Sequence, residues 1–103
     1  YADCVTALVA GAIDAVTTDD IILAGLAAQP ANKGKVKVVG NPFSEENYGV
    51  GLPKDNTVCD KVNEAITAMV DDGTWQKLLD KNVGDSGYKP NEDLNPPKVQ
   101  PCA

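Results

Sequence analysis

The chain has 103 residues, 43% of them hydrophobic, which is enough for one small globular domain. Its 9 basic against 15 acidic residues give a net charge of -6, which argues against a phosphate-backbone partner and so against nucleic acid. The longest apolar run, Ile21 to Ala28, falls well short of the ~20 residues needed to span a bilayer.

In chain order, Val5, Leu8, Val9 and Ala12 recur at helical spacing, and Gly11 is the expected stop of a first helix over residues 3–11. Ile13-Asp14-Ala15-Val16-Thr17 changes period, and its short, partly β-branched run suits a buried strand. A second helix is expected from about Asp19 to Gln29, closed by Pro30. Lys35 to Gly40 alternates as a strand, Asn41-Pro42 marks a turn, and Tyr48-Gly49-Val50-Gly51-Leu52 reads as a further strand ended by Pro53.

Thr57 and Asp60 have the spacing of a capping box for a third helix, whose apolar stripe runs through Val58, Val62, Ala65, Ile66 and Met69 and stops at Gly73. Thr74 can cap a short last helix with Trp75, Leu78 and Leu79 on its core side. From Gly84 onward Pro90, Pro96, Pro97 and Pro101 stand among few apolar residues, so the end of the chain should lie extended over the surface. Helix, strand, helix, strand is the rhythm of an α/β fold, and no internal repeat is present.

The chain opens on Tyr1-Ala2-Asp3 with neither an initiator Met nor a signal segment, and a fragment or processed piece is therefore expected. Its three cysteines lack CxxC spacing and no histidine is present, so neither a metal site nor a Ser-His or Cys-His nucleophile is expected. Asp60, Glu64, Asp71 and Asp72 read as a solvated helix face, and adjacent acids such as Asp19 and Asp20 do not form the facing pair of a hydrolase. No catalytic residue and no cofactor are assigned.

Asp19 lies where a strand gives way to a helix, and ligands of open α/β sheets gather at the carboxyl ends of strands. A carboxylate there can receive an ammonium, or it can cap the helix; Thr17 or Thr18 could cap instead, with Asp20 already complementing the helix dipole. Tyr48 opens its strand, where a tyrosine is more often simply packed. Three cysteines allow three single bridges. Cys59 to Cys102 is the expected pairing, because the tail has too few apolar groups to hold itself down by burial, and a disulfide implies an oxidising compartment.

Three segments resemble family 3 solute-binding proteins, the polar amino-acid receptors of ABC importers. They are Cys4 to Asp19 with its Ala7-Leu8, Gly11 and Asp14-Ala15-Val16; Tyr48-Gly49-Val50-Gly51-Leu52-Pro53-Lys54; and Val62 to Ile66 followed by Asp72-Gly73-Thr74-Trp75. The Thr17-Thr18-Asp19 run and the cysteine in the first helix look most like the glutamate/glutamine type. The resemblance implies the C-terminal portion of a two-lobed α/β clamp of the periplasmic-binding-protein type II class, incomplete in this chain. Residues 1–45 would belong to the second, ligand-closing lobe, 46–84 to the return strand and last helices of the first lobe, and 85–103 to an extended Pro-rich tail.

It further implies that Asp19 receives the α-ammonium of a free polar amino acid, with Thr18 facing the ligand's side chain, that Tyr48, near the crossing between lobes, could line the hinge or the cleft, and that Cys4 pairs with a cysteine outside this chain. The expected partners are that amino acid and a membrane permease, and the expected place is outside the cytoplasm, secreted or lipid-anchored. The rivals are a clamp-fold enzyme, such as a dehydratase or a lyase-associated module, with its catalytic groups elsewhere, and a fragment with a structural role that forms a domain-swapped or fragment-complemented oligomer.

Overall fold

A computed structural model describes residues 1–54 and 57–102. Within the expected segments 46–84 and 85–103, positions 55, 56 and 103 therefore lie outside the described residues. Four α-helices are present among the described residues: α1 (Ala2–Val9), α2 (Asp20–Ala28), α3 (Cys59–Asp71) and α4 (Thr74–Val83), with a 3-10 turn at Gly84–Ser86.

Each helix follows from its sequence pattern. α1 buries Val5 and ends in a Schellman turn: the Gly11 N–H bonds the Leu8 carbonyl at 3.0 Å and the Ala12 N–H bonds the Ala7 carbonyl at 2.9 Å. That turn needs a left-handed residue after the cap, and Gly11 supplies it with φ 76. α3 is amphipathic, with Val62, Ile66, Met69 and Val70 half-buried while Asp60, Glu64, Thr67 and Ala68 face solvent. Gly73, at φ 81, ends α3 and starts α4 in a single residue.

The helix starts differ from expectation. No capping box forms at Thr57, because α3 begins at Cys59 with Val58 in the cap position. Nor does the Thr74 hydroxyl cap α4: the Thr74 N–H donates to the Asp72 carboxylate at 2.8 Å, so an acid two residues back does the work. Hydrogen bonds from Thr74 hold the Asp72 carboxyl below its ordinary range, the charge of Lys77 adding to them and desolvation opposing.

α4 is the centre of the packing, in contact with both α2 and α3. Ala24 of α2 and Val83 of α4 are buried, and a methyl group on Gly25 would stand 3.8 Å from Val83, so small residues on α2 set how closely these two helices approach. Trp75, expected in a core, is only half-buried.

The expected α/β sheet is not formed among the described residues. Residues 13–17, 35–40 and 48–52, read as strands, carry no ladder, and no strand occurs among the described residues. A strand is stable only where neighbours satisfy its N–H and C=O groups, and these segments have none beside them. Their apolar side chains stay open: Ile13 is 38% exposed, Val39 74% and Val50 62%. The accessible surface is 8226 Å², where a compact chain of this mass exposes about 5,500 Å². The radius of gyration is 16.5 Å, against about 13 Å for a compact domain of this length.

Candidate functional site: the acidic start of helix 2

Asp19 occupies the cap position of α2 with an extended backbone, φ -55 and ψ 139, and its carbonyl accepts from the Leu23 N–H at 3.0 Å. Its carboxylate makes no capping bond. Instead it accepts a hydrogen bond from the phenol of Tyr48, 29 residues further along. Neither Thr17 nor Thr18 takes over the cap; the side-chain bond at this helix start runs from the Ile21 N–H to the Asp20 carboxylate at 2.7 Å. Thr18 is half-buried beside Asp19.

The two adjacent acids are thus divided between two phenols. Tyr88, on the C-terminal segment, donates to the second carboxylate oxygen of Asp20 at 3.1 Å. Tyr48 is 77% exposed, so its hydroxyl rather than its ring fixes its place. The hydrogen bond to Asp19 pushes the Tyr48 phenol up to about 12, with desolvation and the charges of Asp19, Asp20 and Glu46 acting in the same direction. Tyr88 is also pushed up to about 12, chiefly by desolvation and then by Asp20 through charge and hydrogen bond.

Both phenols should therefore ionise near pH 12 in a spectrophotometric tyrosinate titration, where an unperturbed tyrosine ionises at about 10. Because the folded state holds these protons more tightly than the unfolded chain, their contribution to stability is complete below pH ~10 and is lost as pH rises toward about 12. Asp19→Asn should return Tyr48 toward its ordinary range and leave Tyr88 high. A Tyr48 titration unmoved by that change would refute the contact.

Two depressions have linings that include neither acid. One of about 610 Å³ runs along the exposed face of α3 past Asp60, Asn63, Glu64 and Asp71, the solvated acidic face read from the sequence. A second, of about 300 Å³, is lined by Ile21, Trp75, Leu78, Leu79 and Asn82. Among the described residues no group of His, Cys, Asp and Glu could hold a metal ion, and no helix is long and apolar enough to cross a membrane.

Cys59 and Cys102 form a disulfide with their Cα atoms 6.0 Å apart, and Cys4 is free and exposed. Around the bridge the Asn63 amide donates to the Gln100 carbonyl at 2.8 Å and lies 3.5 Å from the Cys102 sulfur. Among the described residues the tail is bonded to α3 through this cluster and to the start of α2 through Tyr88. Sequence reasoning weighed Tyr48 for a hinge or cleft but had no means of finding Tyr88, whose partner lies 68 residues away.

The chain is similar to a glutamate-binding protein of Corynebacterium efficiens, 43% identical over 82% of this chain and 30% of that protein. A glutamate-binding protein of Corynebacterium glutamicum is 44% identical over the same shares. The glutamine-binding protein of an ABC transporter from Bacillus subtilis is 35% identical over 79% of this chain and 29% of its own length. The chain spans about 30% of the length of these relatives. No family profile matches it, and no solved structure matches it.

Proposed function

We propose that this chain, which belongs by sequence with the glutamate- and glutamine-binding solute receptors, supplies part of the amino-acid-capturing component of an ABC importer. The protein binds and hands over its ligand to a membrane permease and catalyses no reaction. Residues 1–45 belong to its second lobe, 46–84 to the end of its first lobe and 85–103 to a surface tail. On this reading the strand-like segments at 13–17, 35–40 and 48–52 join an α/β clamp once the rest of the protein stands beside them. Their open apolar side chains support it. The protein works outside the cytoplasm, where a disulfide such as Cys59–Cys102 persists.

The observation that carries the site is the carboxylate of Asp19. It stands at the start of α2, makes no capping bond, and takes its hydrogen bond from a side chain far along the sequence. In this role Asp19 accepts the ligand's α-ammonium through a charge-assisted hydrogen bond, and Thr18 beside it faces the ligand's side chain. Titration calorimetry of the full-length protein that carries this chain, with glutamate, glutamine and aspartate as ligands, tests the reading. Stoichiometric binding with each ligand recovered chemically unchanged is the expected result, and turnover of any of them would favour the clamp-fold enzyme instead.

A further inference from the structure

The phenol of Tyr48 meets one oxygen, Oδ2, of the Asp19 carboxylate. Among the described residues no donor reaches Oδ1. A carboxylate offers about four lone-pair sites over its two oxygens and a phenol supplies one proton, so a single donor on Oδ2 leaves the other oxygen able to accept. The neighbouring acid does not compete for this phenol, since Asp20 is held by the Ile21 N–H and by Tyr88. Nor is Tyr48 held by burial of its ring, which leaves the hydroxyl as its contact with the start of α2.

We propose that Tyr48 is a positioning residue of the ammonium subsite: its phenol pins Oδ2 of Asp19 and presents Oδ1 to the α-ammonium of the amino acid. This rests on the reading of Asp19 as the ammonium acceptor. An exposed carboxylate otherwise turns about its terminal torsion, and ordering it has to be met out of the binding energy. A donor on one oxygen sets that angle before the ligand arrives. Because the donor comes from a segment 29 residues on, the subsite takes its shape from two parts of the chain that need not move together.

Tyr48→Phe keeps the ring and removes only the donor. In the full-length protein it should weaken glutamate or glutamine binding by about three- to tenfold, the scale of one ordinary net hydrogen bond acting through the carboxylate it orients. The melting temperature should fall only slightly, because the lost bond lies at an exposed side chain. In an Asp19→Ala background the same change should have no further effect, since its action runs through the lost carboxylate. Replacing Tyr48 with para-aminophenylalanine, which restores a donor at the same position, should recover the affinity. Unchanged or tighter binding by Tyr48→Phe would overturn the proposal, as would an equal loss in the Asp19→Ala background, which marks a packing role. If Asp19→Ala itself leaves binding intact, the reading of the subsite falls, and with it the role of Tyr48.

Discussion

Asp19→Ala in the full-length protein is expected to weaken amino-acid binding by roughly 2 to 4 kcal/mol, the scale for removing one partner of a buried charge pair. At 1.4 kcal/mol per decade that is a loss of about 30-fold to several hundred-fold, within reach of calorimetry or of ligand-observed resonance for the weakest variants. The magnitude follows from what the ammonium leaves behind in water. An amino acid enclosed between two lobes gives up the hydration of its charge, and without a carboxylate that charge is buried unpaired.

The fold should lose little by the same change: the hydrogen bond from Tyr48 goes with the carboxylate, but that phenol is exposed. The carboxylate makes no capping bond, the backbone carbonyl of residue 19 still receives the Leu23 N–H, and Asp20 remains to complement the dipole of α2. Affinity lost at a nearly constant melting temperature therefore identifies a ligand contact. The reverse pattern, a lowered melting temperature with intact affinity, would make residue 19 a helix cap and nothing more.

Breaking the Cys59–Cys102 bridge should be the most damaging single change to stability in the chain itself. The bridge spans a sequence separation of 43, and closing a loop of that length restricts the unfolded chain by about 4 kcal/mol in the chain-entropy model. Few other contacts are present to absorb such a loss. Among the described residues Val5, Ala24 and Val83 are the buried apolar ones, and the tail adds the Asn63 and Tyr88 hydrogen bonds.

Urea unfolding with and without reductant, together with a Cys102→Ala variant, measures this directly. The expected result is a fall of that order in both cases, to a chain close to unfolded at ambient temperature. Before reduction one thiol, Cys4, should react with a thiol reagent, since it is free and exposed. A reactive thiol at Cys102, or a peptide linking Cys4 to Cys59, would contradict the bridge.

The helices were legible because each carries its own instructions. Periodic apolar residues and the glycines at 11 and 73 mark α1, α3 and α4 without reference to anything distant. The caps were less legible, since serine-like caps at Thr57 and Thr74 compete with carboxylates, and at α4 it was Asp72 that reached the open N–H. The strand-like runs have the right composition but depend on neighbours, so their sequence states a capacity that the isolated chain does not realise. Asp19 could be singled out from its place before a helix. The two phenols that divide Asp19 and Asp20 could not, because hydrogen bonds over 29 and 68 residues leave no local pattern in a sequence.

The open run from Val36 to Leu52 has a consequence for how copies of this molecule treat one another. Extended segments without a ladder partner and with exposed Val39, Phe43 and Val50 are templates for pairing, and among the described residues no strand lies beside them. What keeps two such surfaces apart is a net charge of -6, a repulsion that reaches only about 8 Å at physiological ionic strength. Acidification toward the isoelectric point near 4.4 removes that repulsion and should favour pairing between chains.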